Sequence, residues 1–435
     1  MNAVIDRLHK IGWLHRLHAW YYRTVCRPVV EFAQCLWLCP ILRCRCRKQL
    51  ARLQDKFGTE KIRVLFPISN LAKWKMQSLF EAMRHSSHYE PLMALTIMDV
   101  ENDLSIDRKR ERLQQMQAHF AGKGMGCVDA YDLENGCAIP FDRFAPDIVF
   151  YQQPWRISEC QSPVAVSKYA LTCYVPYFVQ NYGGLDMDCL LVFHRLLWRH
   201  FILNEHWAKE FVKAQGLLRA GTVVGVGHPM LDAFGNVEGV RHVNGCVIYA
   251  PHWSCHTGEC FSTFLENGKK ILMLAQRHPE MEWVFKPHPT LRKILVENGL
   301  MSEREVADYY ETWERIGVAY YDGDYLRLFE RSKAMITDCA SFLVEYACTG
   351  NPIIHLISSD AKYNPHPISE ALFSTYYQAR NWEEFERSFE TVILRGQDPR
   401  RDERRAKVRD MRLCGNNAAK NIVDYLDGVL GGVNA

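Results

Sequence analysis

The sequence shows no apolar run long enough to cross a membrane, no leader-like pattern and no cysteine framework, and each shapes what is expected of the protein. The most apolar early stretch, Val29 to Leu42, falls short of the roughly 20 residues that a spanning helix needs, and Glu31 and Pro40 interrupt it. Asp6, Arg16 and several histidines break up the opening, and no small-residue cleavage site follows, so no secretory leader is expected. The 16 cysteines show no small-domain disulfide spacing, which reads as reduced thiols in a cytosolic enzyme. A strong charge of one sign is also missing. The net charge is +3, so no nucleic acid partner is expected for the whole protein. With 48% hydrophobic and 24% charged residues, wholesale disorder is excluded. At 435 residues the chain exceeds one ordinary core, and two domains are the default.

What is present is distributed unevenly. Residues 1–56 hold eleven Arg and Lys against three acids, mixed with Trp, Tyr and Leu. This composition reads as a basic amphipathic helical arm lying on an anionic membrane surface, rings at headgroup level and guanidiniums on lipid phosphates. The alternative is a helix packed on the protein's own body or on a partner. Beyond the arm, short apolar strands alternate with helical patterns: "KIRVLFPIS", "YEPLMALTIM" and "PDIVFYQQP" in residues 57–240, then "GCVIYAPH", "EWVFKPHP", "KAMITD" and "NPIIHLIS" in 241–400, with a helical tail over 401–435. The expected fold class is α/β, two Rossmann-like parallel-sheet domains facing a cleft, with ligands beyond the carboxyl ends of the strands. The segment 190–216 is expected to form one or two helices.

Four strand ends carry candidate chemistry. In "WVFKPHPTLR", Lys286 and His288 each precede a proline and so are held extended; two apart, they point to one side and present an ammonium and an imidazole to an anion. In "MITDCASFLVEY", a strand ends at Thr337-Asp338 and a helix begins at once. Ser341 lies in its first turn, and Glu345 is on the same face four residues on. An Asp cap with solvated Ser and Glu is the plainer alternative. In "IYAPHWSCHTGEC", His252, Cys255, His256 and Cys260 do not match a structural zinc spacing, so no metal and no cofactor is expected and His252 becomes a donor contact. In the first domain, Gln152, Gln153, Arg156, Tyr177, Gln180 and Asn181 form a polar and aromatic set suited to a polyol or glycan acceptor, or to plain loop packing.

Taken together, "YAPHW", "FKPHP" and "ITDCASFLVEY…TGNPIIHL", with "LAKWKMQSLF", "IVFYQQPW" and "SKYALTCYVPY", resemble the CDP-glycerol glycerophosphotransferase family of teichoic acid and capsule synthesis, in its shorter, capsule-associated branch. The resemblance runs from about Lys61 to Ser359. It implies a GT-B fold and a CDP-glycerol or other CDP-polyol donor on the C-terminal domain. It also implies a lipid-linked glycan acceptor and a cytoplasmic protein held peripherally on the inner face of the membrane. His288 matches the family's essential C-terminal histidine, and Asp338, Ser341 and Glu345 match its "TD-x-x-S" donor motif. The teichoic polymerases carry "WHGTP" in the first domain, where this chain has "VPYFVQNYGG"; the general base is thus unassigned, and His194 in the following helix joins the acceptor-side candidates. The reaction implied is attack of an acceptor hydroxyl on the donor's β-phosphorus with release of CMP, stabilised by Lys286, a protonated His288 and the helix amides near Ser341. The alternatives are a GT-B glycosyltransferase using a nucleotide sugar and a non-catalytic membrane-docked scaffold.

Overall fold

In the computed structural model, which describes residues 27–98, 104–155, 157–179, 192–234, 245–255, 260–319, 325–359, 365, 367–412 and 417–432, the alternating pattern builds two parallel sheets. Ahead of the first runs a long helix, α1 (Arg27–Lys56). In the first sheet β1 (Ile62–Ile68), β2 (Tyr89–Leu95) and β3 (Cys127–Asp129) step outward in one direction. A two-stranded ribbon, β4 (Tyr131–Asp132) and β5 (Cys137–Ala138), follows. Then β6 (Ile148–Tyr151), β7 (Leu171–Tyr174), β8 (Arg199–Ile202) and β9 (Thr222–Gly225) step the other way from β1. Helices α2 (Gln77–His85) and α3 (Ile106–Gly122) cover this sheet with Leu79, Phe80, Met83, Leu113, Met116 and Phe120.

The second sheet repeats the plan. From a central β10 (Cys246–Ala250), β11 (Trp283–Phe285) and β12 (Val318–Ala319) run one way, and β13 (Ser332–Thr337), β14 (Ile353–Leu356) and β15 (Tyr377–Ala379) the other. Helix α4 (Tyr325–Arg331) leads into β13 and α5 (Ala340–Ala347) leaves it. The central strands are buried over nearly their whole length, with only Arg63 of β1 and Lys333 of β13 part-exposed near their amino ends, which is why they read as apolar runs. Each sheet reverses strand order beside its first strand. These switch points, between β1 and β6 and between β10 and β13, are where open parallel sheets leave a crevice for ligands.

The structure departs from the sequence reading in three places. The stretch expected to be helix over 190–216 contains β8. Its core residues Phe201 and Ile202 extend an apolar run too short and too uniform to show a period. The tail is not one unit: α6 (Arg401–Met411) packs on the second domain, with Val408 and Met411 in its core, whereas α7 (Ala418–Leu430) returns to the first, with Ile422, Leu426 and Leu430 in the core of that sheet.

The third departure is α1. Four of its basic side chains have internal partners. Arg52 and Lys56 pair with the buried Asp147 at 2.9 and 2.6 Å, and Arg43 and Arg45 donate to carbonyls of Leu217, Arg219 and Val164. Cys35, Cys39, Leu42, Cys46 and Leu53 are buried, so this face packs on the protein's own body. Val29, Val30, Phe32, Leu36 and Trp37 near the amino end remain exposed, Trp37 at 74%. Among the described residues no helix is long and apolar enough to cross a membrane, and residues 1–26 of the arm lie outside them.

Candidate functional site

The second domain's switch point gathers the carboxyl ends of β10, β11 and β13. Beyond β11, Lys286 and His288 donate their backbone N–H groups to Tyr249 and Pro251 of the β10 strand end, at 2.8 and 3.0 Å. Pro287 and Pro289 fall on the alternate side, toward β12, whose pairing among the described residues ends at Phe285. The two prolines therefore remove donors that no strand among the described residues requires, and the segment stays extended with Lys286 and His288 on one side.

His288 and His252 meet with ring centroids 5.4 Å apart. The N–H of Thr290 donates to Nδ1 of His288 at 3.2 Å, and the N–H of Ser254 donates to Nδ1 of His252 at 3.3 Å, with the Ser254 hydroxyl 2.7 Å from the same nitrogen. Each ring is thereby fixed as the tautomer carrying its proton on Nε2. Burial lowers both pKa values, His288 to about 4 with help from Lys286 and His252 to about 3 with help from His288. Without a bound anion, burial and the neighbouring Lys286 therefore disfavour a charge on His288; the charged form expected from the sequence requires a phosphate beside it.

Asp338 is buried and both its oxygens are occupied. Oδ1 accepts the His252 N–H at 2.6 Å, and Oδ2 accepts the N–H and hydroxyl of Thr263 at 2.6 and 2.9 Å. Burial raises its pKa to about 6 against the lowering effect of those bonds. Thr337, also buried, donates to Ala250 and accepts from the Cys339 N–H. Both residues position the β10 and β13 strand ends, and neither presents a polar atom to a ligand. Ser341 is half-buried in the first turn of α5, its hydroxyl 3.5 Å from the Cys339 sulfur, and Cys339 caps the helix without a side-chain hydrogen bond. The amino end of α5 thus keeps amides for an anion.

Glu345 is buried and accepts the Tyr325 hydroxyl at 2.5 Å, so it braces α4 against α5; a sugar diol would first have to displace that contact. Burial raises its pKa, opposed by Lys75, the Tyr325 bond and Lys286. Lys75 comes from the other domain. Its ammonium donates to the Tyr325 hydroxyl at 2.7 Å and lies 4.2 Å from the ring centroid, and Lys286 lies 5.9 Å from the same ring. Lys75 and Tyr325 escaped the sequence reading. The available signal was "LAKWK", a pair of lysines around a tryptophan directly after β1. Trp74 anchors that turn, packing on Phe66 and Phe120 with centroids 6.0 and 5.5 Å away.

On the acceptor side, Gln152 and Gln153 are buried. Gln152 Oε1 accepts the Lys75 N–H at 3.2 Å and Gln153 Oε1 accepts the Lys73 ammonium at 2.7 Å, so both glutamines hold the lysine turn in place. Tyr177 stands beside them, 5.9 Å from the Lys73 ammonium and edge-on to Trp155. Arg156, Gln180 and Asn181 lie outside the described residues, as does His256. His194 corrects the acceptor-side expectation. It is 6% exposed, stacked on His200 at 5.0 Å among Tyr174, Phe193 and Phe211, and burial lowers its pKa to about 3. A ring enclosed by aromatic neighbours cannot meet an acceptor. Among the described residues no group of three or more His, Cys, Asp or Glu is arranged to hold a metal ion.

The fold is similar to solved structures of UDP-GlcNAc 2-epimerases. That from Neisseria meningitidis, bound to UDP-GlcNAc, superposes with a TM-score of 0.51 at 16% identity over 84% of this chain and 99% of that one. A putative UDP-N-acetylglucosamine 2-epimerase from Listeria monocytogenes gives 0.54 at 14% identity over 85% and 96%. No family model matches the chain, and no curated protein matches it in sequence. The architecture is GT-B: two Rossmann-like parallel-sheet domains facing a cleft, preceded here by the basic helix α1.

Proposed function

We propose that the protein is a GT-B transferase that takes a nucleoside-diphosphate-linked donor. It transfers glycerol phosphate or a related polyol phosphate from a CDP-linked donor to a hydroxyl of a lipid-linked acceptor, releasing CMP. The observation that carries the reading is the pair of imidazoles, each tied at Nδ1 and offering Nε2–H, beside Lys286 and an amino helix end without a side-chain cap. Such a set is built for the oxygens of a pyrophosphate. The motif resemblance supports the cytidine and polyol parts.

In the reaction the acceptor oxygen bonds to the β-phosphorus while the bond from that phosphorus to the bridging oxygen breaks. The electron pair leaves on CMP, whose phosphate, with a second pKa near about 6, can take up the acceptor's proton. Negative charge gathers on the leaving phosphate, where Lys286, the two Nε2–H groups and the α5 amides oppose it. The exposed apolar end of α1 supports work at a membrane surface, where a lipid-linked acceptor is held.

A second reading, a glycosyltransferase using a nucleotide sugar, is favoured by the fold's likeness to enzymes of UDP-GlcNAc. Mass spectrometry of products from CDP-polyols and nucleotide sugars, each with lipid-linked oligosaccharides, separates the two. CMP release from a CDP-polyol with gain of a polyol phosphate on the acceptor is expected. Turnover of a nucleotide sugar alone would overturn the phosphotransfer reading.

A further inference from the structure

A cavity of about 520 Å³ opens between the domains, and one of its lining residues is Tyr325, whose hydroxyl donates to Glu345 and whose ring lies 5.9 Å from the Lys286 ammonium. Its first-domain wall is the turn after β1 together with α3, and its second-domain wall is the start of α4. The described residues that line it include four cations, Lys75, Arg112, Lys123 and Arg327, against one carboxylate, Glu330. Its apolar lining comes from Trp74 and Met116, which are buried in the first domain's core, and from Leu71 and Leu326. The volume lies in the usual range of small-molecule sites, about 300–1,000 Å³, and exceeds what a bare inorganic anion fills. Two guanidiniums from different domains, able to grip phosphate oxygens in pairs, mark the occupant as phosphate-bearing. The apolar patch suits the carbon chain of a polyol or the face of a sugar.

We infer that this cavity binds a phosphate-bearing segment of the acceptor, a polyol or sugar phosphate, and delivers its hydroxyl past Lys75 and Tyr325 to the donor. The inference rests on the transfer reading above for the word acceptor; the anion site itself stands on the cavity alone. Lys75 is the link, since it lines the cavity and its ammonium donates to the hydroxyl of Tyr325, which in turn donates to Glu345 beside the donor site.

The test uses the full chain and two probes, glycerol 3-phosphate and inorganic phosphate, titrated by calorimetry or ligand-observed NMR, with CDP as a separate probe of the donor site. Glycerol 3-phosphate should bind more tightly than inorganic phosphate, and weaken with salt. The double variant Arg112→Gln, Arg327→Gln should lose at least tenfold in affinity for it while binding CDP as the parent does. His288→Ala should do the reverse. Should the double variant fail to fold, Lys123→Gln, at an exposed position, gives the same readout with a two- to fivefold loss. The inference is overturned if neither phosphate probe binds at millimolar concentration, if the cavity variants bind glycerol 3-phosphate as the parent does, or if His288→Ala abolishes both ligands together. Failure to bind CDP with the cavity results intact would instead count against the donor reading.

Discussion

Pro287 and Pro289 show how much of the candidate chemistry is decided one residue at a time. They keep Lys286 and His288 extended without depriving β10 of a bond, and the Thr290 N–H then sets the tautomer of His288. If His288 acts in the transition state, His288→Ala should keep its thermal midpoint and lose about 100- to 1,000-fold in kcat, some 2.7–4 kcal/mol. Near-parental turnover would remove it from the mechanism. Its lowered pKa gives a pH signature. A bound pyrophosphate must raise that pKa from about 4, so CDP binding should take up a fraction of a proton and tighten as pH falls from 7 toward 5. Calorimetry in two buffers of different ionisation enthalpy measures that uptake, and identical heats would contradict it. Asp338→Asn would turn an amide toward N–H groups that now meet an oxygen. The expected result is a loosened tie of His252 and Thr263 to β13, weaker CDP binding and faster amide exchange at Thr263, where a directly contacting residue would change affinity alone.

Among the elements, the parallel strands were legible because burial on both faces leaves an apolar run that ends where the ligand side begins. β8 was not, since its buried run merges with apolar flanks and shows no alternation. Of the site, His252, Lys286, His288 and Ser341 could be placed from proline spacing and strand ends. Thr337, Asp338, Glu345, Gln152 and Gln153 were visible as polar residues in the right places. Whether a polar side chain reaches solvent or braces a neighbour depends on contacts 20 to 87 residues away, as for Glu345 with Tyr325 and Thr337 with Ala250, and no local pattern encodes those. The same holds for α1, whose cations looked unpartnered until Asp147 and the Leu217–Arg219 carbonyls were placed beside them. Its exposed end makes a prediction of its own. Trp37 fluorescence should shift to the blue with vesicles containing phosphatidylglycerol, and Leu36→Ser with Phe32→Ser should abolish vesicle binding without lowering the thermal midpoint. Unchanged emission at saturating lipid would assign this face to another partner.

Across the whole molecule, four enclosed imidazoles set a lower limit to the working pH. His194, His200, His228 and His355 are buried, and desolvation depresses every one of their pKa values. The unfolded chain takes up protons at about 6.5 that the folded chain refuses, so stability is complete above that pH and falls below it. At about pH 5.5 each costs about 1.4 kcal/mol, and the buried carboxyls of Asp338, Asp232 and Glu345, whose raised pKa values let the folded chain take up protons, offset part of that sum. The thermal midpoint should drop steeply between pH 7 and 5.5, and His200→Phe should flatten the drop.

The return of α7 to the first domain carries a consequence for how the protein is made. Asp232 caps that helix through the Ala418 and Ala419 amides at 2.7 and 2.9 Å, Tyr89 donates to Asp427 at 2.6 Å, and Gly227 at φ 95° lets the backbone approach where a Cβ would stand 2.8 Å from that of Ala418. Ile422, Leu426, Val429 and Leu430 each add roughly 1.5–3 kcal/mol of burial, a sum comparable to a domain's whole net stability. The lobe synthesised first is therefore completed only by a segment made after the second lobe: a released chain truncated after residue 412, which keeps α6 but lacks α7, should be cut by protease along Met83 and Tyr89 while the second lobe resists.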